Sequence, residues 1–461
     1  MSLAMRATRS LRAARAVRRV SDVASAADVS RGSVREARNI LLAERALPSP
    51  AFVPQGRRLA VEASRLFCGS DPLHHTASDV GRYFQFDGAT TVFDEVFYHH
   101  GLLGEHFRGA ATRLRSSALM VREAGLRLRD ELLEAEARGG LAAAPPLMVD
   151  GPAGCGKSAL LNYAVACCHQ AGWLVVVVPY AADWTMGLSA RTVQWPNEAY
   201  RLADSTYFKQ LPPRLRAEGL YEAPDASYNF LLSHALSQQE KFGRVLIKDE
   251  ERKAYYAPHA ADAAKGPTLA DLLRMVLEDA TDSFEEFPVA VRPVYDFLEE
   301  LKTATEVPVL LVVDGWNRFH QMASSTQWNS PVPLHGQQLL VPRILGDLQY
   351  GEQMANGIML GAVTRSSARP LAVPLGLRKF IPPPFDFSRP RSLPPSLRRA
   401  LRKVTAYSFE ETQRALEFYA YAGHIQNPGL ENPLRTGELN RKVHLMTAGV
   451  GSDVFKLCEQ M

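Results

Sequence analysis

Gly151-Pro152-Ala153-Gly154-Cys155-Gly156-Lys157-Ser158 stands between a short apolar run, Pro146-Leu147-Met148-Val149-Asp150, and a segment from Ala159-Leu160-Leu161 to Val165-Ala166 whose apolar residues recur at helical spacing. A strand, a glycine loop and a helix follow one another. The stretch satisfies the pattern G-x-x-x-x-G-K-[ST] in full. Glycines at 151, 154 and 156 let backbone N–H groups turn inward around a phosphate, Lys157 supplies the counter-charge and Ser158 a hydroxyl for Mg²⁺. The candidate nucleotide-binding residues are therefore Gly151, Pro152, Ala153, Gly154, Cys155, Gly156, Lys157, Ser158 and Ala159.

Further apolar runs extend the pattern outward. Trp173 to Val178 is a near-continuous β-branched run, as expected of a parallel strand covered on both faces. Val307 to Val313 closes on Asp314-Gly315, the Walker B arrangement, in which a strand-terminal carboxylate beside the phosphate loop holds Mg²⁺. Ser158 and Asp314 are the candidate metal ligands. The next strand, Gly357 to Val363, ends in Thr364-Arg365-Ser366, and a parallel sheet would bring that end to the same crevice. Thr364 and Arg365 are accordingly candidates for sensing the terminal phosphate. No residue is assigned a catalytic role. The acidic run Asp249-Glu250-Glu251 carries no signal that places it at the crevice.

Composition agrees with a globular chain: 461 residues, 46% hydrophobic and 22% charged, suffice for more than one core. No apolar run approaches the roughly 18 residues of a membrane helix. The five cysteines show no C-x-x-C spacing, which argues against a zinc ribbon or a disulfide framework and for a reducing compartment. His74-His75 and His99-His100 lack acidic or cysteine partners at ligand spacing, so they read as ordinary histidines.

Residues 1 to 20 hold six arginines (Arg6, Arg9, Arg12, Arg15, Arg18 and Arg19) and no acid before Asp22. This Arg-rich, acid-poor amphipathic start has the composition of a mitochondrial transit peptide, assigned here to residues 1–38. The alternative is a basic arm that binds RNA. Without those six arginines, 47 basic residues face 49 acidic ones, so the mature chain lacks the global basic field of a protein that wraps nucleic acid.

The remaining segments read in order. Residues 39–110 form an N-terminal extension, with a Pro-rich linker at 46–60 and a turn at His75-Thr76 to Gly81 leading into a strand-like stretch to Phe86. A helix is expected from Ala111 to Ala137. Residues 111–368 form the nucleotide-binding domain, with a mostly helical insertion at about 180–306, large enough to project from the core. Residues 369–395 are a Pro-rich connector, and residues 396–461 hold a final strand, Val404 to Tyr407, and C-terminal helices. Ser408-Phe409-Glu410-Glu411 is a capping box that starts the first of them, and the tail from Glu438 to Gln460 reads as a small lid.

These strings, in this order, resemble the mitochondrial small-subunit ribosomal proteins of the death-associated protein three family. The matching residues are His75-Thr76 with Gly81-Arg82-Tyr83, Ala118 to Arg122, the phosphate loop, Gly172 to Val175, Val312 to Asn317, Leu339 to Leu348, Gly357 to Ser366, and Val404 to Tyr421. The resemblance implies an α/β fold: a P-loop NTPase (AAA-like) parallel sheet flanked by helices, with an N-terminal extension and a small C-terminal helical part. It also implies a place in the matrix, in the head of the mitochondrial small ribosomal subunit, against small-subunit ribosomal proteins and rRNA. Bridge contacts to the large subunit and a bound guanine nucleotide, GTP or GDP with Mg²⁺, belong to the same expectation. ATP is the alternative ligand, since no Asn-Lys-x-Asp string is present to read guanine. Active AAA motors carry Asp-Glu where this chain has Asp314-Gly315, which speaks against hydrolysis. Two other functions stay open at this level: an AAA-type ATPase remodelling a protein partner, and a GTP-dependent signalling switch.

The acid-free start yields a direct expectation. Deleting residues 1–38 should leave the protein in the cytosol, read by fractionation; arrival of the shortened chain in the matrix would place the address elsewhere.

Overall fold

The computed structural model describes residues 63–85, 113–114, 116, 118–186, 198–201, 220–235, 237–282, 291–320, 322–327, 333–350, 354–364, 395–425 and 433–460. The transit peptide, most of the 39–110 extension, His99-His100 and Arg365 lie outside the described residues, as does nearly all of the 369–395 connector.

Five strands form the central sheet: β1 (Leu147–Asp150), β2 (Leu174–Val178), β3 (Val309–Asp314), β4 (Gly357–Ala362) and β5 (Leu401–Lys403). They lie in the order β5-β1-β4-β3-β2, and every pair is parallel. β1 to β4 are apolar because successive side chains point to opposite faces and both faces are covered. Leu147, Val149, Val175, Val177, Leu310, Val312 and Leu360 share one cluster, covered by α1 (Glu123–Ala137) and α2 (Lys157–Gln170). Met148, Leu174, Val176, Val178, Leu311, Val313 and Met359 share the other. That second face is covered by α3 (Pro224–Ala235), α4 (Leu269–Asp282), α5 (Val291–Thr303) and α6 (Leu340–Tyr350). The described helices of the insertion lie on the sheet, with Phe230, Phe242, Leu272 and Phe297 buried in the same core.

A third cluster joins the N-terminal part to α7 (Phe409–Tyr421), α8 (Pro433–Thr447) and α9 (Gly451–Cys458). Tyr83 stacks on Phe418 with centroids 3.9 Å apart.

Three local expectations need correction. The helix expected from Ala111 to Ala137 is interrupted: residues 113–114 are helical, but Leu119–Met120 form a strand paired antiparallel with Tyr83–Phe84, Val121 continues that ladder through bonds to Gly81 and Arg82, and the long helix begins at Glu123. Residues 83 and 119 are far apart in sequence, so no helical periodicity could reveal the pairing. The last strand is Leu401–Lys403, not Val404–Tyr407; it is an edge strand whose Arg402 reaches Glu131 at 2.7 Å, and its polarity hides it from a search for apolar runs. The insertion also contributes Glu198–Arg201 and Tyr221–Glu222 to a second sheet with Met322–Gln327 and Pro333–His335, again by remote pairing. The capping box at Ser408 is present, with Glu411 N donating to Ser408 Oγ at 3.0 Å and Ser408 N to Glu411 Oε2 at 2.8 Å. His75 is a core group, bonded to Gly69 O at 2.7 Å and Tyr163 Oη at 3.1 Å.

β2 is the sheet's other edge, and side chains satisfy Val175 N, Val175 O and Val177 N on its outer side. Gln238 accepts from Val175 N at 3.1 Å and donates to Val175 O at 2.7 Å, while His234 Nε2 accepts from Val177 N at 3.2 Å. Covering an edge in this way leaves no template for a further strand. Because Nε2 accepts, the His234 proton sits on Nδ1 and goes to Phe230 O, 2.7 Å away. A charged imidazolium could not accept this bond.

Burial lowers the pKa of His234 and His335 from 6.5 to about 4 and that of His320 to about 3. All three are neutral in the fold and take up protons on unfolding below pH 6.5, so their contribution is fully present above that pH. It is lost as the pH falls toward 4, at up to about 1.4 kcal/mol per pH unit for each. Urea midpoints measured between pH 7 and 4 should fall steadily, and His234→Gln, whose amide oxygen can still accept from Val177 N–H, should flatten the slope.

Candidate functional site

β1 ends at Asp150, and the chain turns through residues 151–156 into α2. Gly154 (φ +75°) and Gly156 (φ +97°) hold left-handed conformations that a side chain would strain. Gly156 precedes the first residue of α2, and no side-chain cap hydrogen bond closes that end of the helix. Lys157 is buried and its Nζ donates to Gly151 O at 2.8 Å and Pro152 O at 2.7 Å, which fixes the ammonium against the loop. Ser158 and Ala159 follow in the first turn, half-buried, and Pro152 and Ala153 are exposed on the loop's outer side. Cys155 is fully buried, and burial raises its thiol pKa, so the side chain is a neutral packing group.

The sheet brings the other candidates to this edge. Ala362 is in register with both Asp314 and Val149, so the ends of β1, β4 and β3 lie side by side. Asp314 closes β3, half-buried, and its backbone oxygen accepts from Ala181 N at 2.8 Å. Beyond β4, Thr364 is clamped by the Asn317 amide: Thr364 N donates to Oδ1 at 2.7 Å, and Nδ2 donates to Thr364 O at 2.9 Å. Gly315 between them has φ +74°, and a Cβ there would lie 3.2 Å from Thr364 Oγ1. The structure thus gathers residues 151–159, Asp314 and Thr364 at one end of the sheet. The left-handed glycines and the Lys157 ammonium on the loop, with the Asp314 carboxylate at the same end of the sheet, are groups whose chemistry fits a phosphate with a divalent cation.

The model of the family described as mitochondrial ribosomal death-associated protein 3 matches residues 119–457, most of the chain. The chain belongs to this family. It is a mitochondrial ribosomal protein of the small subunit, located in the matrix, with ribosomal proteins and rRNA of its subunit as partners. Curated protein sequences give no match to it. No helix among the described residues is long and apolar enough to cross a membrane.

Several groups that shape this family member's loop were not singled out by pattern. Arg122 reaches Cys155 O at 2.9 Å and Glu411 Oε1 at 2.9 Å, and Ser452 N donates to Gly154 O at 3.0 Å. Asn317 sits three residues beyond Asp314 and was visible only as part of a matching string. Arg122 had a weak signal, a lone cation closing the apolar run Leu119 to Val121. Ser452 had none, since only folding brings residue 452 to residue 154.

Proposed function

We propose that the loop 151–158 binds a guanine nucleotide with Mg²⁺, and that this bound nucleotide serves as a folding and assembly element of the small subunit's head, near the face that meets the large subunit. The observation that carries the reading is the convergence of Lys157, Ser158, Asp314 and Thr364 at the C-terminal edge of one parallel sheet. N–H groups of the loop and of the first turn of α2 would hold the phosphates, Lys157 would balance their charge, and Ser158 and Asp314 would hold the metal. Mg²⁺ supplies neutralisation of the phosphate oxygens. Guanine is preferred on family resemblance. Ligand binding to the native state stabilises it by mass action, so a resident nucleotide would favour the assembly-competent fold.

The nucleotide is read as kept and not cycled. Motors place a glutamate directly after the Walker B aspartate, whereas Gly315 here holds φ +74° and a Cβ there would lie 3.2 Å from Thr364 Oγ1, so a glutamate at this position would be strained and crowded. This disfavours the AAA-type remodelling motor.

Lys157→Ala should abolish nucleotide recovered with the purified protein and weaken its incorporation into small subunits, with circular dichroism largely unchanged. Undiminished nucleotide content in that variant would refute the assignment. In single-turnover assays with pre-loaded triphosphate, phosphate release from the isolated protein should be slow or absent; release within seconds that disappears on mutating one acidic residue would revive the motor.

A further inference from the structure

The loop 151–158 is held from outside as well as by its own bonds. Arg122, the residue before α1, is nearly buried, and its guanidinium spans two parts of the chain. Nη1 donates to Cys155 O at 2.9 Å, Nη2 to Thr405 O and Ala406 O at 3.2 Å each, and Nε and Nη2 grip the two Glu411 oxygens at 2.9 and 3.1 Å. The Tyr407 ring lies 4.9 Å beneath Cζ. Burial opposes the charged guanidinium, but the hydrogen bonds to Glu411 outweigh it and raise the Arg122 pKa above its ordinary value. Its charge is compensated by the Glu411 carboxylate.

A second link runs parallel to the first. Ser452 N, in the first turn of α9, donates to Gly154 O at 3.0 Å, and a Cβ on Gly154 would lie 1.9 Å from Ser452 Oγ. Val404 O lies where a Cβ of Gly151 would be, at 2.2 Å, and Tyr407 N donates to Gly449 O at 2.7 Å, tying the strand β5 exit to the turn before α9. The carbonyls of residues 154 and 155 are therefore both drawn outward by groups beyond the loop. In a planar trans peptide the N–H opposes the C=O. With Cys155 O turned to Arg122, the Gly156 N–H is directed away from Arg122.

We propose that Arg122 is a positioning residue of the nucleotide site, and that through it nucleotide binding at residues 151–158 and docking of α7–α9 stabilise each other. The inference rests on the nucleotide reading given above. Glu411 serves two purposes at once: it starts α7 through the capping box and orients Arg122 toward the loop. A ligand that holds the loop in its present shape favours the docked C-terminal helices, and by linkage the docked helices favour the ligand by the same factor. Nucleotide occupancy then governs how firmly the surface of α7 and α8, with exposed Phe409, Leu445 and Met446, is presented.

The test uses the full chain, with fluorescent GDP and GTP analogues for affinity and hydrogen exchange across residues 409–458 with and without nucleotide. In the wild type, nucleotide should slow exchange in that segment. Arg122→Lys loses the bidentate grip, and Glu411→Gln keeps a capping-box residue while removing the charge. Both should bind nucleotide roughly tenfold more weakly, the scale of one charge-assisted hydrogen bond, and their exchange at 409–458 should no longer respond to it. A wild type that binds no nucleotide would sink the site reading and this inference with it. A wild type that binds, with exchange at 409–458 indifferent to nucleotide or with both variants at wild-type affinity, would overturn the coupling alone.

Discussion

A parallel sheet buried on both faces leaves only its strand ends and its two edges exposed, and the organisation of this protein follows from that constraint. Alternate residues of β1 to β4 are committed to opposite cores, Leu147 and Val149 to one and Met148 to the other, so no polar side chain can enter mid-strand. Chemistry is displaced to the carboxyl ends. There Asp150 leads into the glycine loop, Asp314 closes β3 and Thr364 follows β4. The order β5-β1-β4-β3-β2 sets β4 between β1 and β3, which is why Thr364 and Asn317, remote in sequence from the loop, frame its neighbourhood.

The edges are managed differently. β2 is sealed by Gln238 and by a neutral His234, a solution that depends on the imidazole remaining an acceptor. β5 is short and basic, and its Arg402 is tied to Glu131 of α1. From that edge the chain passes directly over the glycine loop through Val404 to Tyr407, so the C-terminal helices and the loop share a boundary in place of a linker. The tail read from sequence as a small lid does contact the loop, at Ser452 against Gly154.

This shared boundary joins the glycine loop directly to the C-terminal helices. Arg122 contacts the loop, the β5 exit and α7 within one guanidinium, a geometry suited to a planar fork of donors and not to lysine's single ammonium.

The sequence by itself determined the glycine loop, the buried strands, the capping box at Ser408 and the family, because each is written in contiguous residues: a pattern with fixed spacing, an apolar run, a cap with its partner three positions on. Asp314 was legible for the same reason, as the end of such a run. What only the tertiary structure decided depends on residues distant in the chain. The pairing of Leu119–Met120 with Tyr83–Phe84 overrode a helical pattern, and the polar edge strand Leu401–Lys403 took its register from β1 and not from its own hydrophobicity. Arg122, Asn317 and Ser452 acquired their roles by the same route. A hydrogen bond to a backbone carbonyl demands no particular residue type on the accepting side, so the loop that Arg122 and Ser452 hold left no trace in the sequence of what would hold it.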